Sequence, residues 1–376
     1  MKKLEGVRKL NNHKIEYVDL RSDTVTSPTQ EMRQEIYMAR VGDHGYGEDE
    51  TTIELEQYCA RLFGKEAALF MPSGTMSDQV SIRCWTESGD EVILDRSYHI
   101  NYFQAGPSTD LGKILLHTCE TEDGVLGVEQ IDNAITQRIR GNLFSRPALI
   151  SLENTINGHG GRIFPIEALK DVYSYAQAKG IPVHIDGERF LNACVATNIP
   201  VNEYASFSDS ISCSFSKGLG APFGSIIMGK SEFIEKAKKY RRWYGGSLHQ
   251  SGFMAGAALY AITNNISRLK EDHDHAKLLA TLIQSNCECE LDIEPPETNM
   301  IMLDTRKLGI KAVNFAEKCK EMGVLVYPWA PYTIRAVTHL DINTEKIRLA
   351  SNVIANLCSQ AMQHSQTERR LQGVEL

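Results

Sequence analysis

The sequence has no apolar run approaching the length of a membrane-spanning helix. Its first twenty residues, MKKLEGVRKLNNHKIEYVDL, hold no apolar core of signal-peptide length. It also lacks an excess of positive charge. The 376 residues carry a net charge of -8 at pH 7, which argues against a nucleic-acid surface. Nine cysteines are scattered from Cys59 to Cys358, and they lack pairing: the one close pair, Cys287 and Cys289, stands as C-E-C rather than with the spacing of a zinc site. His44 and His159 likewise lie in loop-like text without ligand spacing, so no metal site is expected. Free cysteines in apolar text behave as small hydrophobes, and a reducing cytoplasm is the expected location. Repeats and low-complexity segments are absent.

What remains is ordinary globular composition, 42% hydrophobic and 23% charged. From Thr52 to Gly229 the text alternates. Helical spacing in TIELEQYCARLFGK is followed by a strand in EAALFM, a helix in SGTMSDQVSIRCW and strands in DEVILD and RPALISLEN. FPIEALKDVYSYAQAKG reads as an amphipathic helix with Pro165 at its first position and Gly180 at its end. IPVHIDG, SISCSFSK and GSIIMG read as three more strands. This rhythm predicts an α/β fold with a mostly parallel sheet, whose ligands bind beyond the carboxyl ends of the strands. After about residue 265 the pattern becomes that of a smaller α+β unit. The expected organisation is an arm over 1–30, a large domain over 31–264 and a small domain over 265–376, with the polar tail HSQTERRLQGVEL fraying.

One stretch, VHIDGERF at Val183–Phe190, drives an acid into the end of a buried strand. A carboxylate there is costly unless something positive meets it. Asp186 is either a structural cap for the next helix or the partner that keeps a pyridine nitrogen protonated. Lys217, in FSKGLGAPFG, is either a surface turn lysine or an amine with the open space that a Schiff base needs. PSGTMSD, Pro72 to Asp78, is either an ordinary helix cap or a phosphate-binding helix start. Taken together, and in chain order of phosphate turn, ring acid and then lysine about 30 residues later, the three describe one cofactor, pyridoxal 5'-phosphate.

The motifs DLRSDTVTSP, VGDHGYGEDETTIELE, GKEAALFMPSGTMSD, LISLENT, HIDGER, SFSKGLGAPFGS and AVTHLD make the sequence resemble the threonine aldolase / β-eliminating lyase family, from about Asp19 to Asn352. The resemblance implies the fold-type-I, aminotransferase-like architecture and a homodimer or homotetramer with shared sites. It implies that Lys217 forms the Schiff base, Asp186 pairs with the pyridine nitrogen and His99 stacks on the ring. Gly74 and Thr75 would cradle the phosphate, with Arg242 reaching it from a neighbouring subunit. Ser22, Arg189 and Arg335 would hold the substrate carboxylate, and Tyr46 would lie near the substrate.

The chain departs from the family pattern in five places. Glu188 replaces an alanine and either points away into a weak surface ion pair or changes the charge of the site. Ile156 replaces a histidine that lies near the substrate's β-hydroxyl, with His159 three residues on. His249 replaces an arginine, Gln104 a glutamate and Pro107 a glycine. The expected activity is cleavage of an L-β-hydroxy-α-amino acid to glycine and an aldehyde, or the reverse. A specialised transaldolase, an amino-acid racemase and a β-eliminating lyase are the alternatives, and a non-catalytic scaffold is a reading from another class.

Overall fold

The computed structural model describes residues 17–137, 141–287, 291 and 293–371. Its strands are β1 Val18–Asp19, β2 Ala67–Met71, β3 Glu91–Asp95, β4 Leu115–Cys119, β5 Pro147–Glu153, β6 Val183–Asp186, β7 Ser210–Ser214, β8 Ser225–Gly229, β9 Met300–Asp304, β10 Val324–Leu325, β11 Tyr327–Ala330 and β12 Thr333–Val337. Seven of them form a sheet in the order β2-β8-β7-β6-β5-β3-β4. β3 through β7 pair in parallel, and β8 alone runs antiparallel to both its neighbours. Helices cover both faces, so β6 is buried at every position, as its near-continuous apolar text implies. Burial of Val183 and Ile185 stabilises by roughly 1.5–3 kcal/mol each.

The helix starts and stops follow local chemistry. Asp49 accepts the N–H of Thr52 at 3.0 Å to open helix Glu50–Phe63, and Gly64 closes it in the left-handed conformation. Gly180 closes helix Ile166–Lys179 in the same way, while Pro165 caps that helix from one residue before the expected position.

Three hydrophobic cores are present among the described residues, the smallest packing β2 and β8 against helices Gly74–Trp85 and Ser231–Trp243. The largest runs from Met32 to Leu269 in sequence. The second joins Val18 and Leu20 to residues between Ala276 and Cys358, because β1 pairs in parallel with β10. This second unit carries the antiparallel sheet β11-β12-β9. Of the tail expected to fray, residues 364–371 continue the last helix, Thr344–Leu371, and residues 372–376 lie outside the described residues. The stretch up to Leu371 is rich in Gln, Glu, Arg and Leu, which favour helix and are as compatible with it as with a loose end.

Candidate active site

The parallel strands end side by side, and the polar residues collect there. Glu153 at the end of β5 is in register with Asp186 at the end of β6. Lys217 follows the end of β7 by three residues. Asp186 is buried; its Oδ1 accepts the Glu188 N–H at 3.3 Å, and its Oδ2 has no hydrogen-bond partner among the described residues. Asp78, from helix Gly74–Trp85, and His99, from helix His99–Asp110, close in on it. One oxygen of each aspartate and one nitrogen of His99 lie within 4.8 Å of one another. Burial pushes the Asp78 and Asp186 carboxyls up, and the neighbouring negative charges raise Asp78 further. Burial and then the charge of Asp186 push Glu153 up too, against the N–H groups of Asn157 and His99 that donate to it. The acid delivered by VHIDGERF thus meets more acid. Its unpartnered oxygen suits a protonated ring nitrogen, so the residues fit pyridoxal phosphate.

His99 is held neutral at pH 7: burial, then the charge of Lys217, lower it to about 4. Gln104, a departure noted in the sequence, sets its orientation. The Gln104 amide nitrogen lies 2.6 Å from Asp78 Oδ2 and 3.0 Å from His99 Nδ1, while its oxygen accepts from Gln79 at 2.9 Å. A donor facing Nδ1 leaves the ring hydrogen on Nε2, the opposite of what a glutamate at 104 would select.

At the helix start, Ser73 Oγ accepts the Met76 N–H at 3.3 Å. The N–H groups of Gly74 and Thr75 have no hydrogen bond among the described residues, as an anion site requires. Of the two readings of Glu188, the surface ion pair is overturned. It is buried, not on the surface: Oε2 lies 3.4 Å from Lys217 Nζ and Oε1 lies 2.9 Å from Ser225 Oγ. Only a glycine at 74 leaves room for it, because a Cβ there would meet Glu188 Oε2 at 2.3 Å.

The two arginines divide. Arg189 gives Nε and Nη2 to Asp23 at 2.8 and 2.7 Å, so the bidentate edge expected for a substrate carboxylate is taken by a side chain of the same protein. Burial raises the Asp23 carboxyl, but Arg189 outweighs it and holds the group far below the usual range. Arg335 donates Nη1 to Asn157 Oδ1 at 2.9 Å and Nη2 to the Arg21 carbonyl at 3.2 Å, beneath the rings of Trp329 and Tyr327. Its Nε is buried with no partner among the described residues. Burial lowers it to about 10, which leaves it charged at neutral pH. Ser22 stands between the two in sequence contact with Arg21 and Asp23, its hydroxyl 2.9 Å from that of Thr24.

Tyr46 and Arg242 are not brought to this site within the chain. Tyr46 is 82% exposed in a short turn, and Arg242 is exposed at the end of helix Ser231–Trp243. Its neighbour Arg241 is buried, donating to the Phe70 carbonyl at 2.8 Å. His249 is exposed and pairs with Asp43 at 2.8 Å. Ile156 is fully buried in the main core, against the position a Cβ on Gly124 would take. His159 lines a cavity of about 520 Å³ bordered by Met302, Trp329 and Thr333. Asp78, Asp23 and Asn157 escaped the sequence reading. Asp23 had a signal, since a buried arginine at 189 demands an acid and the DLRSDTVTSP motif supplies one.

Gly187 shows why the turn after Asp186 needs a glycine. A Cβ there would meet the Ser212 carbonyl oxygen at 2.3 Å, and backbone cannot yield as a side-chain tip can. Gly187→Ala is expected to push the end of β6 away from β7 and carry Asp186 with it. Cofactor affinity, measured by titrating the apoprotein with pyridoxal phosphate, should fall at least about tenfold, which is about 1.4 kcal/mol.

A strand-end lysine facing an unpartnered buried acid, beside an open helix start, defines an α/β enzyme of the pyridoxal-phosphate kind. Comparison with known proteins narrows the class. Residues 19–307 match the family described as Beta-eliminating lyase, and the chain belongs to that family, which uses pyridoxal phosphate. The low specificity L-threonine aldolase of Escherichia coli strain K12 is 37% identical over 331 residues, 88% of this chain and 96% of that protein. Low-specificity L-threonine aldolase 1 of Arabidopsis thaliana is 38% identical over 88% of this chain and 93% of its own. In structure, the chain is similar to the threonine aldolase of Leishmania major, with a TM-score of 0.77, 16% identity and coverage of 90% of this chain and 99% of that one.

Proposed function

We propose that this protein cleaves L-β-hydroxy-α-amino acids to glycine and an aldehyde. The relatives at 37–38% identity that bear the name L-threonine aldolase support this reading, and the observation that carries it is the unpartnered Asp186 Oδ2 in line with Lys217 and the open Gly74–Thr75 turn. The cofactor, when bound, supplies the electron sink that makes one bond at Cα labile. Asp186 would hold a proton at the ring nitrogen, Lys217 would offer the amine, Gly74 and Thr75 would hold the phosphate and His99 would lie against the ring. Arg335, whose buried Nε has no partner among the described residues, would fix the substrate carboxylate together with Ser22 and so select which Cα bond breaks. Arg189 supports that pocket through Asp23, and the carboxylate reaches it only at the edge that Asp23 leaves.

A base must take the β-hydroxyl proton. Ile156 is not that group, and with its hydrogen on Nε2, His99 orients a hydroxyl or water by donation. The exposed Tyr46 and Arg242 fit sites shared between copies of the chain, in a dimer or tetramer of the cytoplasm.

The test is a product assay with L-threonine, L-allo-threonine and L-alanine offered separately. Aldehyde from the first two and no D-alanine from the third supports the aldolase. D-alanine without aldehyde establishes the racemase instead.

A further inference from the structure

Glu188 occupies a place where the chain's own geometry gives it a role. It leaves β6 two residues after Asp186 and turns inward rather than to solvent. Each end of its carboxylate is held: Oε2 lies 3.4 Å from Lys217 Nζ, and Oε1 lies 2.9 Å from Ser225 Oγ. Its backbone N–H donates to Asp186 Oδ1 at 3.3 Å, which fixes the turn that aims it. The missing side chain of Gly74 makes the space. Both partners of the ion pair are largely shielded from water, with side-chain exposures of 16% for Lys217 and 8% for Glu188. Screening that makes surface pairs weak is therefore reduced.

The other charged and titratable groups facing this pair come from every element around it. They are Asp186 on the same turn, Asp78 from the helix at Gly74, His99 from the next helix, and Arg189 with its partner Asp23. Glu153 on β5 and Arg335 on β12 lie in the same field. Asp23 neutralises Arg189, and His99 is uncharged at pH 7. Among the described residues, Glu188 is the acid in ion-pair contact with Lys217.

We propose that Glu188 is a positioning residue for Lys217: its carboxylate stays against the lysine nitrogen when the cofactor is bonded there, and keeps that nitrogen protonated to higher pH than an uncharged residue at 188 would. This rests on the pyridoxal-phosphate reading of the site. The proton itself is exchanged with solvent, so no co-reactant is needed. The acid also stands beside the phosphate turn, so this chain favours the charged lysine nitrogen in a place where the family pattern puts only a methyl group.

The experiment uses holoenzyme without substrate. The visible absorbance of bound cofactor is followed from about pH 5 to about pH 10 in the natural protein and in Glu188→Gln, Glu188→Ala and Glu188→Asp. The transition midpoint is expected to fall by about one pH unit or more in the Gln and Ala variants, as removal of an adjacent negative charge requires, and to recover in part with Asp. Two uncharged replacements of different size separate charge from packing. Midpoints that coincide in variants retaining the cofactor band overturn the inference alone. A natural protein with no cofactor band overturns the cofactor reading and this inference with it.

Discussion

Lys217→Ala is expected to abolish aldehyde release from L-threonine, lowering kcat by about 10³-fold or more, and to remove the visible absorbance of the bound cofactor. The amine is the one group at the site that bonds to an aldehyde cofactor, and nothing else among the residues gathered at the strand ends replaces it. His99 is turned to Gln104, and Arg189 is committed to Asp23. Loss of fold would not explain such a result. Lys217 is half-buried with one ion pair, and its removal strands the Glu188 carboxylate at a cost of about 1–3 kcal/mol. That is well inside the roughly 5–15 kcal/mol of a typical domain. A thermal melt of the variant that keeps a single transition a few degrees lower, beside a silent assay, is the expected pair of results.

Arg335→Ala is expected to raise KM for L-threonine about 100-fold, whereas Arg189→Ala is expected to act mainly through stability. The reason lies in what each guanidinium already touches. Arg189 spends its two-nitrogen edge on a fully buried Asp23, and breaking such a pair leaves an uncompensated charge worth about 3–5 kcal/mol. Arg335 keeps a buried Nε with no partner among the described residues, lies against the rings of Trp329 and Tyr327, and stays charged despite burial. A carboxylate that binds there gains a charge-assisted bond of about 1.5–3 kcal/mol, consistent with that change in KM. Arg335→Lys should recover little, because an ammonium on a flexible stem does not present the planar fork. Melting temperatures measured beside steady-state kinetics separate the two arginines. Equal effects of both substitutions on KM, with unchanged stability, would return the carboxylate to a site shared between them.

Much of the fold was legible because each element announced its own ends. Gly64 and Gly180 close helices where left-handed backbone is needed, and β6 reads as buried because it is buried. The strand-end logic located Asp186 and Lys217 without knowledge of their neighbours. Contacts made far apart in sequence were not legible. Asp23 and Arg189 are 166 residues apart, and either alone reads as an ordinary charge. Glu188 read as a surface residue because polar text after a strand usually is. What turns it inward is the absence of a side chain at Gly74, more than a hundred residues earlier. Ile156 stood out against a family pattern, yet its burial against Gly124 depends on a loop that no local pattern describes. The last helix outran its prediction because polar helix formers and a polar loose end have the same composition.

The most direct test of the account is the stoichiometry of one reaction. Purified holoenzyme is given L-threonine, and glycine and acetaldehyde are counted in the same tube over time. Equal amounts of the two, both lost in Lys217→Ala, are what this site predicts. Consumption of threonine with ammonia and a keto acid in place of glycine, or no consumption at all by protein carrying its cofactor, would contradict it.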